Sequence, residues 1–183
     1  MCIPPGSKHC PTMPSGAVNN PPIITDPVAS THDFFNIPNS AGLPAYELKE
    51  VKAGELISFE IHAEDLDTYP GGVFQDITLG VSGGQFSADY TDPLLCHNPP
   101  CATFNNGGTP ALTPPFTAPS LVSGVFEWQT TCDHILANTG CGNTSNIFTF
   151  VIKAFDDFCP ANGIRIATIK ITVEEPSPDL NCV

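Results

Sequence analysis

Apolar and polar residues alternate along this chain in short runs separated by turn signals. From Leu56 to Ala63, Ile57, Phe59, Ile61 and Ala63 share one face and Ser58, Glu60 and His62 the other, the period of a half-buried strand. Gln75 to Val81 repeats it with Ile77, Leu79 and Val81 inward, ended by Gly83-Gly84. Gly124 to Gln129 places Phe126 and the lone Trp128 on one face, which reads as core. The last two runs form a predicted hairpin: Phe148, Phe150, Ile152 and Ala154 alternate on one strand, and Ala167, Ile169, Ile171 and Val173 on the other. Ile164 and Ile166 fall on the opposite parity, which predicts a bulge there. Pro21 to Thr25 and Tyr46 to Val51 read as further extended segments.

No stretch has the length of an amphipathic helix; the best candidate, Asp133 to Asn138, is about one and a half turns. Some seven strands with 20 Pro and 15 Gly between them predict an all-β, Ig-like Greek-key β-sandwich. Residues 1–20 read as an N-terminal linker segment, 21–174 as the sandwich domain and 175–183 as a C-terminal linker. Within the domain, 82–123 is a long insertion rich in Pro, Gly and Asn, beyond ordinary loop lengths. It serves either as a recognition surface carrying Tyr90, Phe104 and Phe116, or as a disulfide-pinned cover over a sheet edge.

Nineteen acidic against six basic residues give a formal charge of −13, which opposes binding to nucleic acid and to anionic membranes. No apolar run approaches a membrane span. The first residues lack the regions of a signal peptide, so the chain reads as an internal piece of an exported polypeptide. Eight cysteines on a turn-rich chain read as disulfides formed in an oxidising compartment. Cys96 with Cys101 closes a short loop, and Cys132 with Cys141 staples the turn after the Trp128 strand. Cys159 has Cys10 or Cys2 within reach, and Cys182 is left for a partner elsewhere. The histidines are scattered, and no nucleophile elbow, metalloprotease helix or phosphate loop occurs, so the chain reads as non-enzymatic.

Two strands end in acidic clusters: Ala63-Glu-Asp65-Leu-Asp67 and Ala154-Phe-Asp156-Asp157. Adjacent strands of one sheet would deliver Asp65, Asp67 and Asp156 to one end of the sandwich. Carboxylates so gathered repel one another unless a hard cation with oxygen ligands lies between them; the bland alternative is that they are turn formers.

The order Asn19-Asn20-Pro21, Glu50, Ala63-x-Asp65-x-Asp67, Ala154-x-Asp156 resembles the calcium-binding frame of cadherin repeats. That resemblance implies Asp65, Asp67 and Asp156 as side-chain ligands, a carbonyl of Asn19 or Asn20 as a further one, and Asp157 as a substitute. It implies one Ca2+ ion at the N-terminal pole. Phe126-Glu-Trp-Gln-Thr-Thr-Cys-Asp-His, Cys141-Gly-Asn-Thr-Ser-Asn and Phe148-Thr-Phe-Val-Ile-Lys-Ala-Phe-Asp-Asp-Phe-Cys-Pro are similar to a cadherin-like or Ig-like repeat of very large Bacteroidetes surface proteins. These proteins are associated with gliding motility and type IX secretion. The resemblance implies an extracellular, cell-surface adhesion module whose partners are adjacent domains of its own polypeptide, together with a surface glycan or protein.

Overall fold

The computed structural model of the chain describes residues 18–37, 42–140, 143–159 and 161–176. Its strands are Ile23–Ile24 (β1), Phe34–Asn36 (β2), Ala45–Lys52 (β3), Leu56–Glu64 (β4), Thr68–Tyr69 (β5), Val73–Phe74 (β6) and Asp76–Ser82 (β7). They continue with Thr103–Asn105 (β8), Phe116–Pro119 (β9), Leu121–Gln129 (β10), Ala137–Gly140 (β11), Asn143–Ser145 (β12), Ile147–Asp156 (β13) and Ile164–Glu174 (β14). One sheet has the order β1-β4-β10-β8 and the other β2-β3-β14-β13-β7-β9, with β5–β6 and β11–β12 as separate two-stranded ribbons.

Seven of these strands carry the Greek key. Taken in chain order as A to G, β1, β4, β7, β8, β10, β13 and β14 give A-B-E-D on one layer and G-F-C on the other, the Ig-like arrangement. To this β3 adds a parallel pairing beside β14, and β9 covers the outer edge of β7.

The predicted faces are the buried faces. Ile57, Phe59, Ile61, Ala63, Ile77, Leu79, Phe126, Trp128, Phe150, Ile152, Ala154, Ala167, Ile169, Ile171 and Val173 are all nearly or fully enclosed. Period-two alternation brings the two inner faces into contact. Phe59 stacks on its cross-strand partner Phe126 at 4.5 Å, and Phe126 meets Phe150 of the opposite sheet edge-to-face at 4.9 Å. Trp128 continues the column onto Phe148 at 4.8 Å and donates its indole N–H to the Pro100 carbonyl at 2.9 Å.

Two expectations are corrected. The segment 82–123 is not a loop throughout, because it supplies β8, β9 and the start of β10. Phe104 of β8 is fully buried, stacks on Phe116 at 5.7 Å and lies over Gly124 of β10. The predicted bulge at Ile164–Ile166 is absent, since β13 and β14 pair in continuous register from Phe155↔Ile164 onwards. Both isoleucines sit on the outer, less apolar face of β14. The irregularity lies between β14 and β3, at Ile171–Val173.

The predicted short helix is a 3-10 turn, Cys132–His134. It places a fully buried His134 beneath Trp128. The Thr131 backbone N–H donates to His134 Nδ1 at 2.9 Å, leaving Nε2 to donate to the Asn98 carbonyl at 3.0 Å. Burial pushes the imidazole pKa down, so the neutral ring is favoured. Gln85 Nε2 donates to the Pro100 carbonyl at 3.0 Å. These bonds tie the loop closed by the Cys96–Cys101 disulfide to the core.

At Gly124 a Cβ would stand 2.1 Å from the Phe104 ring. Gly124→Ala is therefore expected to destabilise the domain by about 1–3 kcal/mol through overpacking. Urea unfolding should show a lowered midpoint with unchanged slope; an unchanged midpoint would mean that the ring does not depend on the missing side chain.

Candidate metal centre

Three inward rows of the sandwich change from apolar to polar at the same end. The β4 row Ile57, Phe59, Ile61, Ala63 is followed by Asp65, and the β13 row Phe148, Phe150, Ile152, Ala154 by Asp156. The β7 row Ile77, Leu79, Val81 is preceded in phase by Gln75. All three are buried, Asp65 at 6% relative exposure and Gln75 and Asp156 at 1% each. β4 belongs to one sheet and β13 and β7 to the other, so the acids come from opposite layers and not, as expected, from adjacent strands of one sheet. The three residues close the end of the core between the sheets.

The segment leading into β1 is bonded across this end. Asn19 Nδ2 donates to Asp156 Oδ2 at 2.8 Å, and Gln75 Nε2 donates to Asn19 Oδ1 at 2.9 Å. The Asn20 backbone N–H donates to Asp67 Oδ2 at 2.7 Å and the Asp67 N–H to Asp65 Oδ1 at 2.8 Å. Asp156 also accepts from the Phe158 and Gly163 backbone N–H groups at 2.9 Å. The structure thus gathers Asn19, Asn20, Asp65, Asp67 and Asp156 into one bonded cluster. Asp157 turns to a neighbouring group, where its Oδ1 accepts from Tyr69 Oη at 3.0 Å and from the Asp76 N–H at 2.9 Å. Burial and the Asp157 carboxylate push the Tyr69 phenol pKa up.

The charge balance here is one-sided. Burial raises the pKa of Asp65, and the nearby charges of Asp67 and Asp156 raise it further, against the lowering effect of the Asp67 N–H bond. Among the described residues, Asp65, Asp67 and Asp156 form no ion pair with Lys or Arg, whose bridges run from Lys49, Lys52 and Lys170 to Glu47 and Glu174. Of three buried side-chain oxygens without a hydrogen-bond partner among the described residues, Asp65 Oδ2 and Gln75 Oε1 lie here and Gln85 Oε1 lies at the Trp128 end. The two here are acceptors, so further carbonyls or carboxylates cannot satisfy them; a cation or a donated proton can.

This donor set fits a hard ion with oxygen ligands: carboxylates, amide oxygens and backbone carbonyls, with neither thiolate nor imidazole in the cluster. As they stand, no three acidic, His or Cys side chains among the described residues converge to metal-holding distance. Each of the Asp67 and Asp156 carboxylates instead accepts from amide and backbone N–H groups.

Asp65, Asp67 and Asp156 were expected from the acidic ends of two alternating runs, and Asn19 and Asn20 from the resemblance to cadherin repeats. Gln75 and Gly163 were missed. The available signal for Gln75 was its phase with Ile77, Leu79 and Val81, a polar residue on an inward row. Gly163 gave no signal, because its role comes from a close approach: a Cβ there would stand 2.4 Å from Asp156 Oδ2 and 2.7 Å from the Pro21 Cα.

The other candidate residues lie elsewhere. Cys96 and Cys101 are bridged, with Cα atoms 5.6 Å apart. Cys132 and Cys159 are also disulfide-bonded, while Cys10 and Cys141 lie outside the described residues. Phe104 and Phe116 face the core. Tyr90 is half-buried against it and donates its hydroxyl to the Val81 carbonyl at 3.1 Å.

No family model matches the chain, and no curated protein does. Among solved structures, a family 123 glycoside hydrolase from Clostridium perfringens aligns over 72% of this chain and 23% of its own length, at 10% identity and TM-score 0.34. The chain thus spans about a quarter of that hydrolase. The CooA pilin subunit from enterotoxigenic Escherichia coli aligns over 78% of this chain and 97% of its own, at 10% identity and TM-score 0.30.

Two outcomes are expected at this centre. Gly163→Ala should displace Pro21 and Asn19, lowering stability by about 1–3 kcal/mol and accelerating hydrogen exchange at residues 18–21; unchanged exchange would show that the close approach does not hold the linker. The second concerns pH. Asp65 has a folded pKa above the unfolded ~3.9, so in that window the folded state binds more protons than the unfolded one, and stability falls as pH rises through the folded pKa. With divalent cations chelated, the wild type should therefore gain stability relative to Asp65→Asn as pH drops into that window. Parallel pH profiles of the two proteins would contradict this.

Proposed function

We propose that this chain is a non-enzymatic, calcium- and disulfide-stabilised structural and adhesion module of a large, secreted bacterial surface protein. The supporting observation is the buried Asp65 carboxylate with an unpartnered Oδ2, set beside Asp67 and Asp156 where the N-terminal linker docks. In this reading Asp65, Asp67, Asp156 and oxygens of Asn19 or Asn20 hold one Ca2+. The ion neutralises carboxylates that otherwise repel and fixes the linker against the sandwich, which restrains the orientation of an adjacent domain of the same polypeptide. The Cys96–Cys101 bridge and the bonded Cys132 and Cys159 suit an oxidising, extracellular setting. Burial of Phe104 and Phe116 favours a scaffold role for 82–123 over a glycan- or protein-binding role built on those rings.

Thermal unfolding in excess calcium and in excess chelator tests this reading. Calcium at about 100 times its dissociation constant stabilises by about 2.7 kcal/mol, which for a domain of this size raises Tm by about 5–10 °C. Asp65→Asn should abolish most of that difference. Superimposable melts with and without calcium would reduce the acids to loop residues.

A further inference from the structure

We propose that Gln75 belongs to this cation site, its side-chain carbonyl serving as a neutral oxygen ligand and its amide nitrogen as the group that positions Asn19. The assignment rests on the calcium reading above and extends it to a residue outside the acidic pattern. Gln75 lies on an inward register where Ile77, Leu79 and Val81 continue the row, and it is 1% exposed. A fully buried amide at an apolar position is retained against its desolvation only if its polar atoms are matched. The nitrogen is matched by Asn19 Oδ1 at 2.9 Å, whereas Oε1 has no partner.

The backbone fixes Gln75 among the acids. Its N–H donates to the Asp67 carbonyl at 3.3 Å, and its carbonyl accepts from the Ser120 N–H at 3.1 Å. Ser120 in turn accepts from the Asp65 N–H at 2.9 Å. Through Asn19 the Gln75 amide is one residue removed from Asp156 Oδ2. The residue that carries the unpartnered Oε1 is thus bonded to the segments that carry Asp65, Asp67 and Asp156.

Coordination chemistry gives the reason for an amide here. Calcium takes six to eight oxygens, and amide carbonyls are ordinary members of its shell beside carboxylates. A fourth carboxylate in this place would add to the repulsion among Asp65, Asp67 and Asp156, whereas a neutral oxygen adds a ligand without adding charge. Gln75 also joins the ligand set to the linker, because the same amide that offers Oε1 restrains Asn19.

Calorimetric titration with calcium chloride of the full chain, its Gln75→Leu variant and its Gln75→Glu variant tests the assignment. A melt of each in chelator serves as the folding control. Gln75→Leu should weaken calcium binding by about 10- to 100-fold while melting in chelator at or above the wild-type temperature, since leucine suits the apolar row. Gln75→Glu, which retains an oxygen at that position, should bind calcium at least as tightly as wild type but melt lower in chelator. If wild type binds calcium and Gln75→Leu binds it equally well, the assignment is overturned and the calcium reading survives. If wild type binds none, both are overturned. If Gln75→Leu fails to fold, Gln75→Glu decides: affinity lower than wild type overturns the assignment.

Discussion

Two sheets must close over one shared layer of side chains, and the rest of the molecule depends on how that layer is sealed at its ends. Along its length the column Phe59, Phe126, Phe150, Trp128, Phe148 fills the space between the sheets. Beyond the column the apolar rows stop, and polar residues must finish the core without stranding their hydrogen-bonding groups. The two ends do this differently. Beneath Trp128 the seal is neutral, built from His134, Gln85 and the carbonyls of Asn98 and Pro100. At the other end it is anionic, built from Asp65 and Asp156 with the amides of Gln75 and Asn19. The neutral seal gathers no carboxylate and leaves one buried amide oxygen, Gln85 Oε1, without a partner; the anionic seal leaves two, Asp65 Oδ2 and Gln75 Oε1.

Much of this architecture was legible in the sequence, because period-two alternation is a direct record of which side chains face the partner sheet. The rows on β4, β7, β10, β13 and β14 were readable for that reason. Strand β8 was not: three residues among prolines and glycines are too few to show a period, and its place is set by Phe104 settling on Gly124, a contact made across the chain. The acids at the anionic end were readable by spacing after an alternating run. Gln75 and Gly163 act through burial and close approach, which only three-dimensional packing creates.

The two seals also divide the labour of the loops. The loop closed by Cys96–Cys101 is fixed by a covalent bond and by neutral hydrogen bonds, neither of which responds strongly to ionic conditions. The linker at Asn19 and Asn20 is held by hydrogen bonds to the Asp156 and Asp67 carboxylates and to the Gln75 amide.

The parallel pairing of β3 with β14 adds a mechanical consequence. Residues 45–52 and 164–174 run in the same direction from the anionic end towards the Trp128 end. A pull on the leading segment at one end and on the chain beyond Glu174 at the other would meet β1 and β2 first and, on reaching Ala45, would drag β3 and β14 past each other along their length. Their hydrogen bonds would then be loaded together in shear and have to fail together, whereas a pair peeled apart from one end loses its bonds in succession.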